Sequence, residues 1–147
     1  MRNNKWLKNI AQDIWFKYFH DISPTNDLRV KFGKRARWQL GCIRQSLKGG
    51  FALKAHPEGS PSIVTINGHF KNPLVPQYVV ESILAHEFIH YLAGFSSSRP
   101  KLFRYPHRGG IIDREMRRRG LEEIERKQKK WIDKNWRKII LTRTYAN

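Results

Sequence analysis

His86-Glu87-Phe88-Ile89-His90 lies inside a stretch, Pro76 to Gly94, whose reading decides the fold around it. Residues 77–92 contain no Gly or Pro, Pro76 sits where a first helical turn tolerates it, and Gly94 offers a C-terminal stop. Val80, Leu84, Phe88 and Tyr91 form one apolar stripe at helical spacing, flanked by Val79, Ile83 and Leu92, so a helix buried in a core is expected. On such a helix His86 and His90 share a face one turn apart, within reach of a single metal ion. Glu87 then leans over a metal-bound water as general base. The pattern predicts metal-assisted peptide hydrolysis: imidazoles hold the ion, the ion acidifies its water, and the carboxylate takes the proton. Two histidines and a glutamate would be costly to bury in an apolar helix without a metal.

Working outward, residues 3–20 read as a helix with Leu7, Ile10, Ile14 and Tyr18 on one face. Leu28 to Phe32 alternates apolar and charged residues and reads as a half-exposed strand ended by Gly33. Residues 35–44 are expected to be a second strand, although Gly41 interrupts it. A short strand is expected over residues 51–54, and residues 62–67, with Ile63, Val64, Thr65 and Ile66, are the strongest strand in the chain. Residues 95–106 read as an irregular polar loop, residues 111–119 as a helix stopped by Gly120, and residues 121–140 as a long final helix. Trp6, Trp15, Trp38, Trp131 and Trp136 are expected mostly in the core. His20, His56 and His69 read as surface or turn histidines.

The 147 residues suffice for one domain with a real core. No apolar run is long enough to span a bilayer, and residues 1–10 hold no continuous apolar segment of the kind a signal peptide needs. Cys42 is the single cysteine, which excludes an intrachain disulfide and any four-cysteine zinc site in this chain. A cytoplasmic location is expected, with nucleoid association open to it. The 29 Lys and Arg against 12 Asp and Glu give a net charge of +17. Residues 1–40, 41–110 and 111–147 carry +6, +5 and +6, so the excess is spread over the fold and is not a detachable tail. Such a field attracts polyanions, nucleic acid first among them, with anionic membrane surface or acidic protein behind it.

A catalytic zinc site wants three protein ligands and an open position. Ser96 stands where a histidine six residues after His90 would be, so that arrangement is excluded. His107 and Glu115 remain as candidates for the third ligand.

The segment His107-Arg108-Gly109-Gly110-Ile111-Ile112-Asp113-Arg114-Glu115-Met116, ending at Gly120, resembles a stretch of the SprT-like metalloproteases, which carry HExxH on one helix and a third histidine downstream. Arg29-Val30, then Ala36-Arg37 and Gly41, and the order from Ile63 to Gly94 are similar to that family too. The resemblance covers about residues 25–120. The domain is expected over residues 1–120, with the final helix at 121–147 as a basic helical extension packed on the same domain, and the resemblance implies a compact α+β zincin-like fold with a small, mostly antiparallel sheet. It further implies one catalytic zinc ion on His86, His90 and His107, with Glu87 as general base. The family's frequent cysteine zinc ribbon is absent, and Arg108 stands where the family usually has Gly.

Arg99, Lys101, Arg104, Arg108, Arg117, Arg118 and Arg119 form a basic belt around His107 and are the expected nucleic-acid contacts. The resemblance, to a family that includes proteases of proteins crosslinked to DNA, implies a zinc endopeptidase acting on a protein or peptide substrate associated with or crosslinked to DNA, and the charge points the same way, with single or double strands unresolved. The alternatives are a zinc peptidase with a substrate unrelated to nucleic acid, and a catalytically silent basic nucleic-acid-binding module. A substrate backbone is expected to pair along an edge at residues 62–67. No membrane partner is expected, and oligomeric state is left open.

Overall fold

The computed structural model describes residues 1–46, 60–94 and 110–142. In chain order these form helix α1 (Asn4–Tyr18), strands β1 (Leu28–Phe32), β2 (Gly41–Gln45) and β3 (Ser62–Ile66), a 3-10 turn at Gly68–Lys71, then helices α2 (Gln77–Leu92), α3 (Ile111–Arg118) and α4 (Glu122–Leu141). The strand expected at 51–54, the loop 95–106 and His56 lie outside the described residues.

The strands make one open sheet in the order β1-β3-β2. β1 runs parallel to β3, with Val30 opposite Val64, and β2 runs antiparallel to it, with Ile43 opposite Val64. The sheet is thus mixed, one parallel and one antiparallel pair, and not mostly antiparallel. Because β3 is hydrogen-bonded on both sides, it has no edge to offer, and the expected pairing of a substrate along residues 62–67 is excluded. A one-residue alternation sets its faces: Ser62, Val64 and Ile66 are buried, while Ile63 and Thr65 look outward beside Lys31 and Arg44.

α2 is the centre of the molecule. Twelve of its sixteen residues are buried, including Glu87 and His90, because the sheet, α1, α3 and α4 all pack on it. Trp15 packs edge-on against Phe88 at 5.1 Å and Tyr91 at 6.2 Å, and Phe19 meets Phe88 at 5.7 Å, which locks α1 onto α2. The buried Tyr91 hydroxyl donates to Asn26 Oδ1 at 2.6 Å and accepts from the Thr25 amide at 3.0 Å, and Asn26 holds the Ser60 carbonyl and the Ser62 hydroxyl. One phenol thereby fixes the entrances of β1 and β3. Gly94 (φ 86°) and Gly120 (φ 79°) end α2 and α3 in the left-handed conformation that glycine adopts without strain.

The architecture is a small α+β domain with an open three-stranded sheet and four helices among the described residues. The zincin-like architecture expected from the sequence is corrected on one further ground: among those residues no group of three or more His, Cys, Asp or Glu side chains can hold a metal ion.

Candidate nucleic-acid interface and the histidine cleft

The helical register brings His86 and His90 together as the sequence requires. Their Nε2 atoms are 3.1 Å apart and their rings meet at 63°, 4.8 Å between centroids. They open, with Glu87, into a cleft of about 680 Å³ lined by Trp38 to Ile43 on one wall and by Gln128, Lys129, Ile132 and Asp133 of α4 on the other. Gly41 lets β2 come close: a Cβ there would stand 3.0 Å from Ile83 Cγ2 and 3.4 Å from Glu87 Oε1. Glu87 is 7% exposed, and burial pushes its carboxyl up to about 7. The group can therefore hold or release a proton near neutrality. Burial also pushes the Cys42 thiol up, away from the thiolate form a nucleophile needs.

Two imidazoles fall short of the three ligands a catalytic zinc requires. Glu115 does not complete the set, because Arg118 and Arg119 occupy both its oxygens at 2.6–3.0 Å. Those two guanidinium groups hold its carboxyl below the usual carboxylate range. His107 lies outside the described residues. The donors among the described residues thus do not make the expected zinc centre, and the expected zinc metalloprotease, its hydrolase activity and the SprT-like assignment fall with it. What remains is a mostly apolar cleft with a buried, proton-holding carboxyl beneath a histidine pair.

The basic belt divides in an instructive way. Arg99, Lys101, Arg104 and Arg108 fall outside the described residues. Arg117 pairs with Glu122 at 3.4 Å and Arg118 with Glu115 at 2.6 Å, both at the surface. Arg119 faces inward. Its side chain is 5% exposed, bonds to Glu115, to Asp21 and to the Tyr18 carbonyl, and lies over the Phe19 ring at 4.8 Å. It fastens the end of α1 to α3, so it is a structural clamp and not a group a phosphate could reach.

A larger cationic surface lies on α4. At about 100° per residue, Arg126, Lys127, Lys130, Lys134, Arg137 and Lys138 fall within an arc of about 120° that extends about 18 Å along the axis. The opposite arc holds Ile124, Gln128, Ile132 and Ile139, which pack on the core, with Gln128 bonded to Ser82 of α2 at 3.3 Å. Among the described residues none of these six cations is in an ion pair; Lys129, on the flank, holds Glu125 instead. Tyr78 and Trp131 form an aromatic floor beside the arc, with Lys127 Nζ 5.1 Å above the Tyr78 ring. The sequence already sets these cations off the apolar stripe of the final helix, and the seven-residue spacing of Lys127 and Lys134, and of Lys130 and Arg137, narrows them to one face.

His69 is buried, not a turn histidine at the surface. It sits edge-on to Trp136 at 5.7 Å, and burial lowers its pKa. Trp38, expected in the core, is 82% exposed. No helix among the described residues is long and apolar enough to cross a membrane. No protein-family model matches the chain, and no curated protein or solved structure matches it either.

Proposed function

We propose that the chain is a basic nucleic-acid-binding module whose principal contact surface is the cationic arc of α4. The observation that carries this reading is the gathering on one face of α4 of six cations that form no ion pair among the described residues, within a chain of net charge +17. On the same helix Glu122, Glu125 and Asp133 fall outside the arc and Glu123 precedes its first cation by about a turn, so from Arg126 to Lys138 this face carries cations alone, a gathering that a surface kept basic for solubility does not require. The arc is long enough to lie along several phosphates of one strand, and lysine and arginine donors suit phosphate oxygens.

Six phosphate contacts imply that log K falls with log salt at a slope of about −4 for a single strand, or roughly 300-fold in affinity between about 50 and 200 mM salt. Fluorescence anisotropy with a labelled oligonucleotide of about 20 nucleotides, titrated across that range, tests it. Absence of binding at low salt, or an affinity indifferent to salt, refutes the reading. Glu87→Gln should bind as the wild type does, since the arc and the cleft use different residues.

A further inference from the structure

The connection between β1 and β2 carries Lys34-Arg35-Ala36-Arg37-Trp38-Gln39, and its backbone is held at Lys34, Ala36, Arg37 and Gln39. Asn67, 4% exposed, donates through Nδ2 to the carbonyls of Ala36 and Gln39 at 2.7 Å each and accepts the Ala36 amide at 3.3 Å. The Gly68 amide takes the Lys34 carbonyl at 3.1 Å, and Trp136 Nε1 of α4 takes the Arg37 carbonyl at 2.9 Å. A Cβ on Gly68 would stand 2.6 Å from the Gly33 carbonyl oxygen, so the loop is seated at backbone contact with the core.

The side chains of this fixed loop point the other way. Lys34, Arg35, Arg37 and Trp38 are all exposed, and the Arg37 guanidinium lies 5.1 Å from the centre of the Trp38 ring. Leaving an indole in water forfeits its burial energy, while the loop around it is anchored by more hydrogen bonds than a spacer needs. The Trp136 bond ties the loop to α4 on the flank of the cationic arc, about 80° around the helix axis from Arg126.

We infer that Trp38 is a stacking platform for an unpaired base, and that the nucleic acid this protein takes is single-stranded. The inference rests on the nucleic-acid reading above and deepens it. A flat, exposed indole beside a guanidinium matches the face and phosphate of an unstacked nucleotide, whereas a duplex hides its base faces between neighbouring pairs. The cationic arc then follows the backbone of the same strand, and the anchored loop presents the ring without an ordering cost on binding.

The test compares wild type, Trp38→Ala and Trp38→Phe by anisotropy against a thymidine oligonucleotide of about 20 residues, a duplex of equal length, and an abasic strand with the same number of phosphates. Trp38→Ala should weaken binding to the thymidine strand about tenfold and leave duplex and abasic binding unchanged, while Trp38→Phe keeps most of the affinity. Wild type should bind the abasic strand about as weakly as Trp38→Ala binds the thymidine strand. Both variants should melt with the wild type, because the ring is exposed. Equal loss on all three ligands, or no loss on any, overturns the stacking role while leaving the phosphate reading standing. Failure of the wild type to bind any of them overturns both, as does binding to anionic phospholipid vesicles in place of oligonucleotides.

Discussion

Arg119 separates charge used for structure from charge used for binding. Arg119→Ala removes the bonds to Glu115 at 2.9 Å and to the Tyr18 carbonyl at 2.8 Å, together with the contact on Phe19 and the pair with Asp21. A hydrogen bond to a charged group contributes about 1.5–3 kcal/mol. Glu115 is 28% exposed and still holds Arg118, so it rehydrates in part and the loss stays near the lower end for each bond. About 3 kcal/mol is expected, less than breaking a fully buried pair, which lowers Tm by about 10 °C for a chain of this size. Arg119→Met, which keeps an apolar stem on Phe19, should recover part of it. Arg117→Ala and Arg118→Ala, both exposed, should leave Tm unchanged. The pH dependence carries a sign. Asp21 and Glu115 are held below their ordinary values by hydrogen bonds from Arg119 and Arg118 respectively. Their stabilisation is therefore full above the ordinary carboxylate range and disappears as pH falls through their depressed folded values, so the gap between wild type and Arg119→Ala should narrow as pH falls below that range, leaving the part owed to the Tyr18 carbonyl and Phe19. Thermal melts by circular dichroism from acid to neutral pH measure this. Equal Tm for Arg119→Ala and Arg118→Ala at neutral pH refutes the reasoning, because it would mean that Arg119 is solvated like its neighbours.

Replacing Lys130, Lys134 and Arg137 together with glutamine should cut the salt slope of single-strand binding by about 2 without lowering Tm, read by anisotropy across salt. Glu87 has a folded pKa raised from 4.5 to about 7, so the folded state binds the extra proton and wild-type stability falls as pH rises through that window. Glu87→Gln escapes the loss and should gain up to about 3 kcal/mol relative to wild type at pH 8, measured by urea unfolding; parallel pH profiles would show that Glu87 is solvated. Asn67→Ala leaves the Ala36 and Gln39 carbonyls without their donor and should cost about 2–4 kcal/mol, together with faster amide exchange over residues 34–40.

The amino-acid sequence by itself determined the local elements, because hydrophobic period and chain breakers act over a few residues. The expected helix between Pro76 and Gly94 is α2 at Gln77–Leu92, and the alternation in Leu-Arg-Val-Lys-Phe is β1 at Leu28–Phe32. It also determined that His86 and His90 meet, since a four-residue spacing on a helix fixes their separation. The second strand starts at Gly41 and not near residue 35, because Asn67, distant in sequence, takes the carbonyls that a strand would have used. Tertiary structure alone decided the rest. Register and strand order placed β3 in the middle of the sheet, packing decided that Arg119 is buried and Trp38 exposed, and Glu115 was committed to arginines and not to a metal. The physical reason is common to all of these: composition and spacing specify which groups a segment carries, but a charge or a ring becomes a ligand, a clamp or a contact surface only through the neighbours that long-range packing brings to it.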